Sequence, residues 1–286
     1  MTIAISLKVH EGVVLATDSA STLTGVTPDG QMTVVNVYDN ANKIVNLVKG
    51  LPLGVMTWGA GAIGPSSITT IFKDLRAIFS GAAPSPDGED WTLKADALDI
   101  QAVADRVMKY VVDGLYAEHF GTGPGAPGMG ILIAGYSTGG GHAQEFEINV
   151  ADGGTCPGPQ ERRPGAECGF TVGGQPMTVS RLILGVDPSL GQVLEKGLGV
   201  PVDQVGPALS VIQNHLQVPV VQDAMPFQDA LDLAHFLVDA TIKMTRFLPG
   251  PGTVGGPIEI AGITKHEGFK WVRRKHYFDT AMNPRE

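Results

Sequence analysis

Apolar and polar positions alternate from the start of the chain. Ile3, Ile5, Leu7 and Val9 share one face, and Thr2, Ala4, Ser6 and Lys8 share the other. That period of two predicts a strand. Gly12 marks a tight turn, and residues 13–17 read as the second arm of a hairpin. Further strands are predicted over 31–37, 43–48 and 53–57. Ile68, Ile71, Phe72, Leu75 and Phe79 recur at helical spacing, so a helix is predicted over 66–79, with Pro65 at its start. A second helix is predicted over about 99–119, beyond a Gly-, Pro- and Asp-rich linker at 81–90. Strands return at 131–134, 144–150 and 170–172, then helices near 178–196 and 227–247. A hairpin of 258–263 and 269–273 closes the chain around His266-Glu267-Gly268. Strands and helices therefore run in blocks, which argues against a doubly wound parallel sheet. The expected fold class is α+β: two mostly antiparallel sheets with helices on their outer faces, a four-layer αββα sandwich. One domain over residues 1–286 accounts for the length, and no internal repeat is visible.

Composition narrows the function classes. The chain is 43 % hydrophobic, enough for a sizeable core, and only 17 % charged. Its 38 Gly and 20 Pro point to many turns. The net charge of −9 disfavours nucleic acid and anionic lipid as partners. Lys270, Arg273, Arg274 and Lys275 form the one compact basic cluster, and they read as exposed strand-face charges. Neither a membrane span nor a signal peptide is expected, since Lys8, His10 and Glu11 interrupt the first apolar stretch. The expected location is the cytoplasm. Cys156 and Cys168 flank one Gly/Pro-rich loop and read as free thiols, with a loop clip as the alternative. The His residues are scattered and no HExxH occurs, so no metal and no cofactor are expected.

The candidate chemistry lies at the N-terminus. Thr2 follows Met1, and removal of Met1 before a small residue would leave a free N-terminal Thr. Such a residue carries a nucleophile and a base together, because its α-amine has a reference pKa near ~8. A hairpin turn at His10-Glu11 would put Asp18 opposite Ile3; a turn at Glu11-Gly12 would put it opposite Ile5. Either way Asp18 comes close to Thr2.

These residues carry a resemblance. Thr2-Ile-Ala-Ile-Ser-Leu followed by Gly12-Val-Val-Leu-Ala-Thr-Asp18-Ser-Ala-Ser-Thr22 resembles the start of a proteasome β-type subunit, and of the related bacterial ATP-dependent peptidase. Asn42-Lys43-Ile44 is similar to the family's strand with the catalytic lysine, and Gly54-Val-Met-Thr-Trp-Gly59-Ala60 to its apolar strand ending in glycine. Val254-Gly255-Gly256-Pro257-Ile258 resembles the glycine pair before a late strand. The likeness is clearest over residues 2–61. It implies an N-terminal nucleophile hydrolase in which Thr2 attacks, Lys43 lowers the pKa of its hydroxyl or amine, and Asp18 holds Lys43. The N–H of Gly59, or of Trp58 if the alignment slips by one, would form the oxyanion hole. Thr22 would bind substrate backbone as an added strand. By position, Ser21, Ala41, Val45, Met56 and Ala60 would line the first specificity pocket, which implies cleavage after apolar residues. The resemblance further implies a homo-oligomer of stacked rings that admits unfolded chains or peptides, with an unfoldase as a partner.

Some positions depart from the family pattern. Ala20 stands where the family has an arginine, no serine accompanies Val172-Gly173-Gly174, and Pro251-Gly-Thr-Val254 replaces an Asp-x-x-Ser. The alternatives are therefore a ring-forming homologue with weak or no activity, and a small-amide acylase of the same superfamily. Two rival motifs lack their context. Gly59-Ala-Gly61-Ala-Ile-Gly64 matches a dinucleotide loop, but no second parallel strand with an acid follows. Gly135-Tyr-Ser137-Thr-Gly139 matches a nucleophile elbow, but glycines and a strand follow where a helix is needed.

Overall fold

The computed structural model describes residues 2–27, 29 and 32–276. Met1 and Gln31, the first residue of one predicted strand, lie outside them. The strands are β1 (Ile3–Val9), β2 (Gly12–Thr17), β3 (Ser21–Val26), β4 (Met32–Tyr38), β5 (Ile44–Asn46), β6 (Leu53–Gly59), β7 (Ala62–Ile63), β8 (Ser66–Ser67), β9 (Met129–Gly135), β10 (Gln144–Val150), β11 (Gln160–Arg162), β12 (Gly169–Gly174), β13 (Glu259–Thr264) and β14 (Gly268–Arg273). Two five-stranded sheets result, ordered β12-β1-β2-β13-β14 and β11-β10-β9-β6-β5. Every pairing in them is antiparallel. β3 with β4 and β7 with β8 form two separate hairpins. The fold is α+β.

Three apolar clusters hold these elements together. Helix α1 (Ile68–Phe79) and helix α2 (Ile100–Val107) bury Ile71, Phe72, Leu75 and Val103 with Leu53, Val55, Ile131 and Ile133. The long helix Phe227–Arg246 buries Ala230, Ala234, Leu237 and Val238 with Ile3, Ile5 and Leu7. The third cluster joins residues of both sheets, including Ala4, Leu15 and Ala261 with Met56, Leu132 and Ala134. β1 thus faces a helix on one side and the other sheet on its second side, and all seven residues are buried. The polar face read from the sequence is therefore not a solvent face. Ser6 hydrogen-bonds Glu145, and the Lys8 ammonium donates to the carbonyls of Arg163 (2.6 Å) and Gly165 (2.9 Å). Buried polar groups need such partners.

Several boundaries differ from the sequence reading. α1 begins two residues later than expected. Ser66 and Ser67 belong to the β7–β8 hairpin, and the Ser67 hydroxyl caps the helix by accepting from Thr70 N at 3.2 Å. α2 runs on as a π-helix over Met108–Tyr116 and a last turn at Ala117–His119. The helix expected over 178–196 is broken into separate turns around Gly185–Ser189. A further helix, Val202–Leu216, was not expected. It contains Pro207, and Val205, Leu209 and Ile212 recur at helical spacing on its half-buried face, while no residue is fully buried. Both cysteines are free. No helix among the described residues is long and apolar enough to cross a membrane.

Candidate active site

The turn at His10-Glu11 fixes the β1–β2 register with Ala4 opposite Thr17. One step further, Asp18 N donates to Ile3 O (3.3 Å) and Ile3 N returns to Asp18 Oδ1 (3.1 Å). Asp18 thus ends β2 beside the first residues of β1. Its side chain is fully buried. Oδ1 also accepts from Lys43 Nζ at 2.6 Å, and Oδ2 accepts from the N–H groups of Ala20 (3.1 Å) and Gly255 (3.0 Å). Four donors fill a carboxylate's capacity. The glycine pair read from the sequence therefore supplies one of the four. Lys43 precedes β5 and is 7 % exposed. Burial holds its ammonium below the ordinary lysine value, and Asp18 opposes that shift.

Thr2 opens onto a cavity of about 510 Å³. Lys43, Gly59, Ser21, Thr22, Ala41 and Ala60 line the same cavity, so seven of the ten residues singled out from the sequence meet there. Asp18 stands behind Lys43. The other two do not join them. Val45 lines a neighbouring cavity, and Met56 is 1 % exposed within the inter-sheet cluster. Adjacent residues of a strand point to opposite faces, which sends Met56 inward. Of the five residues expected to line a small apolar pocket, Ser21, Ala41 and Ala60 border this cavity and Val45 and Met56 do not. The wall instead carries Asn42, Ser67, Thr69, Thr70 and Lys73.

Two glycines set the backbone around Thr2. Gly59 ends β6 with φ of 82°, and a Cβ there would overlap the Gly128 carbonyl oxygen. Gly174 ends β12, also with φ of 82°, and a Cβ would overlap the Thr2 carbonyl oxygen. The next residue donates its N–H to that oxygen, Gln175 N to Thr2 O at 2.7 Å. Gly174→Ala is expected to cost at least about 1–3 kcal/mol from the backbone conformation alone. It should also displace Thr2. The checks are a lowered urea midpoint at unchanged slope and reduced turnover; an unchanged midpoint would contradict this account of Gly174.

Lys275 and Glu259 were not read as site residues. Lys275 is half-buried, not an exposed strand-face charge. It pairs with Glu259 at 2.7 Å and donates to Ser19 Oγ and Ala41 O, both at 2.8 Å. It thereby ties together Ser19, which follows Asp18, and Ala41, two residues before Lys43. Burial pushes its ammonium below the ordinary value, against the pull of Glu259. Nothing in the spacing of the basic cluster marks this residue, because its partner lies on another strand.

The rival motifs have structural employment. Ser137 Oγ accepts from Ile100 N (3.0 Å) and donates to Gln144, in the turn between β9 and β10. The Gly59–Gly64 stretch runs into the β7–β8 hairpin. No group of three or more His, Cys, Asp or Glu among the described residues is placed to hold a metal.

No protein-family model matches the chain, and no curated protein matches it. A solved structure of the Gly-1 mutant of Anbu from Hyphomicrobium sp. strain MC1 matches 96 % of this chain and 86 % of its own, with a TM-score of 0.50 and 14 % identity. At that identity the likeness concerns the fold, which is proteasome-like in a coarse sense.

Proposed function

We propose that this chain is a threonine-type peptidase whose nucleophile is Thr2, exposed as an N-terminal residue by removal of Met1. The observation that carries the reading is the buried Lys43–Asp18 ion pair, 2.6 Å long, whose lysine lines the cavity that opens on Thr2. In this reading the Thr2 hydroxyl attacks a peptide carbonyl and gives its proton to its own α-amine through a water. Lys43 stabilises the deprotonated forms by its charge. Asp18 keeps Lys43 charged and aimed. The Gly59 N–H receives the oxyanion. The leaving amine takes the proton back, and water then releases the acyl group from the Thr2 oxygen. Thr2 and Gly59 also border a second cleft, of about 330 Å³, near Gly128 and Asp152. Space on both sides of the nucleophile suits a polypeptide better than a small amide. Ser21 and Thr22, on β3, would pair with substrate backbone.

The reading extends to the four-layer αββα arrangement, to assembly as stacked homo-oligomeric rings in the cytoplasm, and to unfolded protein or peptide as substrate, with an unfoldase as a partner. Retained Met1 with no turnover would favour a silent ring protein. Hydrolysis of small amides alone would favour an acylase.

The pH profile tests the roles of the amine and of Lys43. Values of kcat/KM should rise as the α-amine loses its proton, around pH ~8 or below. They should fall again as Lys43 loses its own, at a pH below the ordinary lysine range because burial favours the neutral form. Lys43→Arg stays charged throughout, so any activity it retains should keep the acid limb and lose the alkaline fall. An alkaline fall unchanged in Lys43→Arg would remove Lys43 from the mechanism. The direct experiment for the nucleophile is the intact mass of the purified protein with and without a peptide epoxyketone, which should show loss of Met1 and one adduct on Thr2.

A further inference from the structure

The cavity that opens on Thr2 has no carboxylate among its lining residues. It has two lysines. Asp18 neutralises Lys43, whereas Lys73, on α1, enters no ion pair among the described residues. Asn42, Thr69 and Lys73 form a wall shared with a second cavity of about 650 Å³, between β5, α1 and the end of β14. Lys49, Lys73, Arg76 and Arg274 line that second cavity. Glu259, the one carboxylate among the described residues of its lining, is paired with Lys275.

Four cations that enter no ion pair among the described residues meet here, in a chain that carries nine more negative charges than positive ones. Arg76 is half-buried, and its guanidinium donates to the carbonyls of Asn46 and Leu47. Burial lowers its pKa, and the charge of Arg274 lowers it further. A cleft lined by one sign of charge, set in a surface of the other sign, concentrates anions.

We infer that the cleft selects peptides with an acidic side chain close to the attacked carbonyl, held by Lys73 with the Arg76 and Arg274 charges behind it. The inference rests on the peptidase reading and names its substrate class. It replaces the apolar preference that the sequence suggested, since Met56 is not in the wall and Lys73 is.

The test uses binding, so that it does not depend on catalysis. Two fluorescein-labelled peptides, identical except for Glu or Leu at the central position, are titrated with the full-length Thr2→Ala protein and followed by anisotropy. The Glu peptide should bind about five- to tenfold more tightly, the increment of one charge-assisted contact. Added salt should shrink that margin. Lys73→Gln should remove it and Lys73→Glu should reverse it. Arg274→Gln, at an exposed position, should weaken it, which keeps the test open if the Lys73 variants do not fold. Equal binding, tighter binding of the Leu peptide, or no binding of either overturns the inference. Hydrolysis of the Leu peptide by wild type would then leave the peptidase reading standing. A Lys73-dependent Glu preference with no acylation of wild-type Thr2 would instead sink the peptidase reading and keep the anion-selective cleft.

Discussion

Thr2→Ala should lower peptide turnover by at least about 10³-fold while leaving the fold intact. The substitution removes the attacking oxygen and keeps the α-amine, the Lys43–Asp18 pair and the cleft. Thr2 is 5 % exposed and its backbone is held by Gln175, so loss of the side-chain hydroxyl and methyl disturbs little else. Thr2→Ser keeps both hydroxyl and amine and should stay within about 10²-fold of wild type. Initial rates on a fluorogenic peptide, with melting curves for the same preparations, check both variants. A Thr2→Ala protein with full turnover would refute the assignment, whatever the other residues do.

The second large effect is on stability. Asp18→Ala should cost about 3–5 kcal/mol, because it strands the buried Lys43 ammonium without its countercharge. It also leaves the N–H groups of Ile3, Ala20 and Gly255 without their acceptor. These losses overlap and do not add. A fall in Tm on the order of 10 °C follows for a domain of this size. Asp18→Asn keeps one acceptor oxygen and the shape, so it should melt higher than Asp18→Ala. It still lacks the charge that holds Lys43 protonated, and its turnover should stay low. Calorimetry and initial rates on the two variants separate the structural from the electrostatic role. An Asp18→Ala protein that melts with wild type would contradict the geometry around Asp18.

Part of this site was legible because it is local: the β1–β2 hairpin brings Asp18 back beside Thr2. Lys43, beyond a further hairpin, was legible only through its resemblance to the family's motif. The wider α+β organisation was legible for the same reason, since strands and helices announce themselves by their periods. What could not be read depends on long-range contacts. Lys275 reaches Ser19 and Ala41, beside Asp18 and Lys43, from the far end of the chain, and no spacing within its own segment points there. The polar face of β1 gave no sign that Glu145 and Arg163 would cover it. The pocket wall was misread because it was assigned by position along strands. The α1 side chains Thr69, Thr70 and Lys73 enter it from a separate element, while Met56 turns into the core. The helix Val202–Leu216 was missed because Gly206 and Pro207, both poor helix formers, interrupt its apolar spacing.

The central claim, a nucleophile at an N-terminal Thr2, is tested most directly by intact mass of the purified protein with and without a peptide epoxyketone. That electrophile closes a ring only with a hydroxyl and a free α-amine on one residue. The account predicts loss of the initiator methionine and one adduct per chain, mapped to Thr2 and absent from Thr2→Ala. A protein that retains Met1 and takes up no adduct would contradict it.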